Sequence, residues 1–223
     1  MSLRNTSSLG VVAITDEQVQ IATTPKDEVF RSDKVTLYRY RPLAKRKVAT
    51  PVLIVYSLIG RYTMTDLQED RSLIRNLLKQ GLDVWVIDWG NASRADRYLT
   101  IDDYVLGYLD DCVAAMRRET EAEGVNLLGI CEGGAFTLAY AALEPAQVKN
   151  LVLTVTPLDF HADQAEEKLE HGFLNVWTRS LTARDVDQMI EVWGVLPGEF
   201  MGAVFSMLTP IRSMTKYLSL IHI

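Results

Sequence analysis

The chain has 223 residues, enough for one domain with an insertion, and 48% of them are hydrophobic, which excludes a disordered tail. A formal net charge of −6 argues against nonspecific binding to nucleic acid, whose phosphates recruit Lys and Arg. Two cysteines make no disulfide framework, the start MSLRNTSSLG carries no apolar signal core, and no apolar run approaches the roughly 20 residues of a membrane helix. The expectation is a cytoplasmic, non-membrane protein.

Residues 1–50 read as a peripheral N-terminal segment with a basic cluster from Arg41 to Lys47 and one or two strands around Val35 to Tyr40. At Pro51 the texture changes. PVLIVYS is a continuous apolar run, the mark of a strand buried on both faces of a parallel sheet. A helical pattern follows, with Leu67, Ile74, Leu77 and Leu78 on one face and Gly81 at its end. Asp66, Glu69 and Asp70 read as charges on the solvated face of that helix, and their spacing suits no metal cage.

DVWVIDWG reads as a second buried strand, with Asp88 pinning the turn at Trp89 and Gly90. Thr100 or Asp102 caps the next helix, where Tyr104, Val105, Tyr108, Leu109, Cys112, Val113 and Met116 recur at helical spacing. VNLLGI is a third strand, Ala135 to Leu143 a third helix and NLVLTVTPLDF a fourth strand. Four alternations with connections too long for hairpins predict an α/β fold with a mostly parallel sheet and helices on both faces. Residues 51–160 form this core. Residues 161–207, with Trp177, Trp193 and Phe205 in amphipathic pieces, read as an inserted helical cap, and 208–223 as a truncated return to the core. The sheet is expected to be incomplete at the C-terminus.

The third strand runs into LLGICEGGAF. G-x-C-x-G has the spacing of the G-x-S-x-G nucleophile elbow, with Gly129 and Gly133 flanking Cys131 and sulfur in place of oxygen. Small neighbours let a strained strand-to-helix turn close, and Gly134 gives helix and strand room to approach. The N-terminus of the following helix favours a thiolate. Cys131 is therefore the candidate nucleophile, whereas Cys112 falls in an apolar helical stripe and reads as a buried small hydrophobe.

These stretches together resemble the catalytic domain of polyhydroxyalkanoate synthases, an α/β-hydrolase-type family, and most closely the two-component (class III) kind that works with a second subunit. The resemblance rests on PVLIVYSLIGRYTMTDLQEDRSLIRNLL, on GLDVWVIDWGNASRADRYLTIDDYVLGYLDDCV and on VNLLGICEGGAFTLAYAALEPAQVKNLVLTVTPLDF. It implies polymerisation of (R)-3-hydroxyacyl-CoA into polyester through a cysteine thioester, with coenzyme A released. It also implies a homodimer, a partner subunit and a polyester granule as associates. The CoA thioester is substrate, and no cofactor or metal is expected. Acyl transfer from one thioester to another keeps the acyl group activated for attack by the next hydroxyl.

Two backbone N–H groups should hold the oxyanion. One is assigned to Glu132, directly after the nucleophile, and the other to Leu58 or Ile59 in the loop after PVLIVYS. The resembling family commonly has asparagine where this chain has Gly60, and a neutral residue where it has Glu132; the Glu132 carboxylate is expected to point to solvent. Arg61, Arg94 and Arg97 are candidates for the phosphates of coenzyme A, or else ordinary surface arginines. His161 and His171 read as surface or capping residues, and His222 sits on a stub; Asp159 is not promoted to a triad. The layout of the family places the acid and base beyond residue 223, so the chain reads as C-terminally incomplete. Two other readings stand beside the synthase: a cysteine-dependent hydrolase or thioesterase, and an inactive scaffold that binds a partner or a granule.

Overall fold

The computed structural model describes residues 21–159, 182–198 and 200–202. The chain enters through strands β1 (Lys26–Ser32) and β2 (Val35–Tyr40), and PVLIVYS supplies β3 (Val52–Val55). A small hairpin of β4 (Asp66–Gln68) and β5 (Arg71–Ser72) leads into helix α1 (Leu73–Lys79), followed by β6 (Val84–Asp88). A π-helical segment, Asp103–Leu109, continues into helix α2 (Asp110–Thr120). Then come β7 (Val125–Ile130), α3 (Glu132–Leu143), β8 (Val148–Thr154) and helix α4 (Ala183–Trp193).

Six strands form one sheet in the order β1-β2-β6-β3-β7-β8. The three contacts from β6 to β8 are parallel, and those of β1 with β2 and of β2 with β6 are antiparallel. The apolar runs read from sequence are thus the parallel centre. Val52 to Val55 and Val84 to Ile87 are buried along their length because packed layers cover both sheet faces. On one side the π-helical segment, α2 and α3 contribute Leu109, Cys112, Met116, Phe136 and Tyr140. On the other, Ile74 and Leu78 of α1 pack on Ile54, Val84 and Val86.

Several expectations need correcting. The lead-in is not peripheral: β2 pairs with β6 and buries Val35, Leu37 and Tyr40 completely or nearly so, because the apolar residues of VTLYRY extend the same core. The helix does not include Leu67; it starts at Leu73, with the Ser72 hydroxyl accepting from the Arg75 N–H at 2.9 Å. The reason lies in Asp66, which is buried. Its carboxylate accepts from the Thr24 N–H (3.1 Å), the Thr24 hydroxyl (2.8 Å) and the Ser72 hydroxyl, and this draws residues 66–72 into a hairpin. Asp66 is therefore no solvated charge, whereas Glu69 and Asp70 are exposed.

The later helices follow their caps. Thr100 caps the helical turn that leads into the π-helical segment: its N–H and hydroxyl both donate to the Asp103 carboxylate, whereas Asp102 makes no side-chain cap bond. In the expected cap region, α4 has a capping box between Thr182 and Asp185 and ends at Gly194, whose φ of 84° suits glycine. Trp177, Phe205, residues 161–181 and residues 203–223 lie outside the described residues. Among the described residues, no helix is long and apolar enough to cross a membrane.

Candidate active site

Strand β7 ends at Ile130, and helix α3 begins at Glu132, so Cys131 alone makes the corner. Its backbone has φ 57° and ψ −130°, a conformation that costs a non-glycine residue on the order of 1–3 kcal/mol. The surroundings hold it there. The Cys131 N–H donates to Thr154 O of β8 (2.9 Å), and its carbonyl accepts from the Gly134 N–H (2.9 Å). The side chain is exposed, in contrast to Cys112, which is fully buried. Burial, with a smaller contribution from Asp111, pushes the Cys112 thiol up to about 12.

The glycines act by what they leave out. A Cβ on Gly133 would run into the carbonyl oxygen of Val55 and lie 2.8 Å from that of Tyr56. Helix α3 therefore starts in direct backbone contact with the end of β3. A Cβ on Gly129 would strike the Thr137 hydroxyl and Gly134 Cα, the helix side of the same corner.

Contact between α3 and β3 brings the loop after β3 beside the elbow. This loop holds Leu58 and Ile59, the two alternatives for the second oxyanion donor, and the Leu58 N–H lies against the Glu132 side chain. The Glu132 N–H heads α3, where no intrahelical acceptor exists. The Glu132 side chain does not point to solvent, contrary to expectation. Its Oε2 accepts from the Ser57 hydroxyl (3.0 Å) and from the Leu58 N–H (3.0 Å). The Ser57 hydroxyl in turn accepts from the Ile59 N–H at 3.1 Å. A carboxylate folds inward here because two donors converge on it, and hydrogen bonds to a charged acceptor are the stronger kind. Ser57 went unnoticed in the sequence, where only its place at the end of an apolar strand marks it.

Tyr56 borders the same loop. Its ring lies over Gly60, where a Cβ would come within 2.5 Å of the ring edge. Burial, and to a lesser degree Cys131, raises its phenol above the ordinary range. Its carbonyl accepts from the Trp89 indole N–H at 2.9 Å. Trp89 meets Tyr104 and Phe136 edge-on, with ring centroids 5.6 and 6.0 Å away. As expected, Asp88 pins this turn by accepting from the Gly90 N–H (3.0 Å).

The β3 loop, the DWG turn and the end of α4 enclose a cleft of about 980 Å³. Leu58, Ile59, Trp89 and Leu196 give it an apolar floor, and Arg61 and Arg97 stand at its wall. Arg61 donates to Asn91 Oδ1 (3.1 Å), and the Arg97 guanidinium lies 4.5 Å from the Tyr98 ring centre. Arg94 does not line the cleft itself, but its side chain lies against Gly194, which does. The cleft meets the elbow only through the Leu58–Ile59 loop, because Cys131 and Glu132 are not among its lining residues. An apolar lining with cations suits an anionic, partly apolar ligand. Among the described residues no cluster of His, Cys, Asp and Glu suits a metal. His161, His171 and His222 lie outside them.

Comparison with known proteins bears on the family and the fold. Residues 50–197 match the model of the alpha/beta hydrolase fold, and residues 8–77 that of the poly-beta-hydroxybutyrate polymerase (PhaC) N-terminus. The chain is 44% identical over 206 residues to the poly(3-hydroxyalkanoate) polymerase subunit PhaC of Synechocystis sp., covering 92% of this chain and 53% of that protein. It is also 44% identical over 211 residues to the subunit of the same name from Allochromatium vinosum, covering 93% and 56%. The chain thus spans about half the length of the curated relatives it matches. Among solved structures, the Francisella virulence factor BioJ superposes with a TM-score of 0.50 at 14% identity, covering 67% of this chain and 49% of that one, a likeness of fold.

Proposed function

This chain belongs to the alpha/beta hydrolase fold family, and on that premise, with its homology to PhaC-type polymerases, we propose that it is the catalytic part of a two-component polyhydroxyalkanoate synthase. The observation that carries the reading is Cys131, an exposed thiol on a strained strand-to-helix corner beside the Leu58–Ile59 loop. The Cys131 sulfur attacks the carbonyl carbon of a (R)-3-hydroxyacyl-CoA. The bond to the CoA sulfur breaks, and coenzyme A leaves with a proton. The hydroxyl of the next hydroxyacyl-CoA then attacks the acyl-enzyme carbonyl. Its oxygen forms the ester bond, the Cys131 sulfur departs and takes up the hydroxyl proton, and the lengthened chain, now a CoA thioester, returns to Cys131 by the same exchange. The backbone N–H of Glu132 and one from Leu58 or Ile59 hold the oxyanion of each step. Arg61 and Arg97 meet the phosphates of coenzyme A at the wall of the cleft. The whole protein works as a homodimer with its second subunit, in the cytoplasm at the surface of the polyester granule.

The test supplies (R)-3-hydroxybutyryl-CoA to the protein with and without a second synthase subunit, and follows released coenzyme A and sedimenting polymer. Polyester is expected, and its loss in Cys131→Ala. Coenzyme A released together with soluble 3-hydroxy acid would assign the chain to the cysteine hydrolases instead.

A further inference from the structure

The two amides of the Leu58–Ile59 loop are both engaged by side chains, in one closed chain of hydrogen bonds. Ile59 N–H donates to the Ser57 hydroxyl, the Ser57 hydroxyl donates to Glu132 Oε2, and Leu58 N–H donates to that same oxygen. Oε2 stands 3.0 Å from Leu58 N, which is the distance at which an oxyanion donor holds its oxygen. The oxygen placed there carries charge already. An oxyanion growing on a carbonyl bound to Cys131 would need the same N–H and would meet a carboxylate of like sign. Ser57 is 5% exposed, so the hydroxyl that anchors this carboxylate is shielded from competing water.

We propose that the Glu132 carboxylate is the resident occupant of the second oxyanion donor, and that it has to swing off Leu58 before an acyl carbonyl can react at Cys131. Glu132 thereby has two opposed parts in the site. Its backbone N–H is one donor, and its side chain closes the other. This inference rests on Cys131 being the nucleophile and on Leu58 supplying the loop donor. It adds that the reaction begins from a closed site, and that the barrier to opening it is a property of this one side chain.

An aldehyde tests this without any polymerase activity. In hexanal the Cys131 sulfur bonds to the carbonyl carbon, the π pair moves to oxygen, and the thiol proton passes to that oxygen or to solvent. The product oxygen occupies the oxyanion site. Hexanal affinity is read as the concentration that halves the rate at which iodoacetamide alkylates Cys131, followed by peptide mapping, within each variant of the chain. Glu132→Ala should tighten hexanal about tenfold, because the competing charge-assisted hydrogen bond is gone. Glu132→Gln, which keeps the shape and removes the charge, should tighten it roughly threefold, and it decides the matter alone if the alanine variant fails to fold. A general loosening of the loop would weaken binding, so the direction of the change separates the two. Unchanged or weaker affinity in a folded variant with readily alkylated Cys131 overturns the closed-site proposal alone. Cys131 that resists iodoacetamide in every variant removes the nucleophile reading and this proposal with it.

Discussion

Gly133→Ala puts one methyl group where the structure has backbone on every side. The new Cβ would collide with Val55 O and lie 2.7 Å from Val55 C and 2.8 Å from Tyr56 O. Ordinary carbon–oxygen contacts begin near ~3.3 Å, so the collision with Val55 O makes α3 withdraw from β3 by about one ångström. Neither side can give by rotating a side chain. Overpacking of this kind costs ~1–3 kcal/mol, and a clash between two backbones belongs at the upper end. With a urea dependence of about 3 kcal/mol per molar, the unfolding midpoint should fall by ~1 M. Gly107→Ala is the paired control. Its Cβ meets nothing within 4 Å, and alanine in a helix is favoured over glycine by ~0.5–1 kcal/mol, so its midpoint should rise slightly. The assay is equilibrium urea unfolding followed by circular dichroism. A Gly133→Ala midpoint within ~0.2 M of the parent would refute the claim that backbone contact fixes the elbow.

Cys131 should be alkylated by iodoacetamide at pH 8 long before Cys112, whose buried thiol at about 12 leaves roughly one molecule in 10⁴ ionised there; faster labelling of Cys112 in folded protein would contradict this. Asp66→Ala should lose about 3 kcal/mol, seen as a fall in Tm of ~6–12 °C, because Thr24 and Ser72 are left with buried unpaired donors. Asp96 is held down at about 2, first by the Lys34 ammonium 2.8 Å away and then by Ser93. Its folded value lies below the unfolded one, so its contribution is complete above about pH 4 and disappears as pH falls to about 2. Asp96→Asn should lower the urea midpoint at pH 7 by no more than ~1 kcal/mol equivalent, and the gap should close across that window; a gap constant from pH 7 to 2 would count against the pair.

The elbow and the parallel strands were legible because backbone geometry writes itself into composition. Val52 to Val55 and Val84 to Ile87 are apolar without alternation since both sheet faces are covered, and Gly129 and Gly133 are glycine since a Cβ has nowhere to go. Polar pairings across the fold were not legible. Asp66 finds Thr24 at a separation of 42 residues, and Glu132 finds Ser57 at 75. Nothing local distinguishes such a carboxylate from one on a solvated surface, which is why both were placed in water. The helix at Leu67 failed for a related reason: its apolar spacing was helical, but the buried Asp66 decided the local backbone.

The π-helical segment between Thr100 and α2 has a consequence for how the two halves of one rod are phased. A π-turn holds one residue more than the α-turn it replaces, so side chains before and after it are offset by about 100° around the axis. Tyr104 thereby stacks on Phe136 beside the cleft, with centroids 6.2 Å apart, while Leu109, Cys112 and Met116 still face the sheet. Such a segment holds its extra residue within the helix rather than in a loop. Removing one residue there would let the rod close into continuous α-helix with its core stripe intact, and would turn the aromatic wall of the cleft away from Trp89.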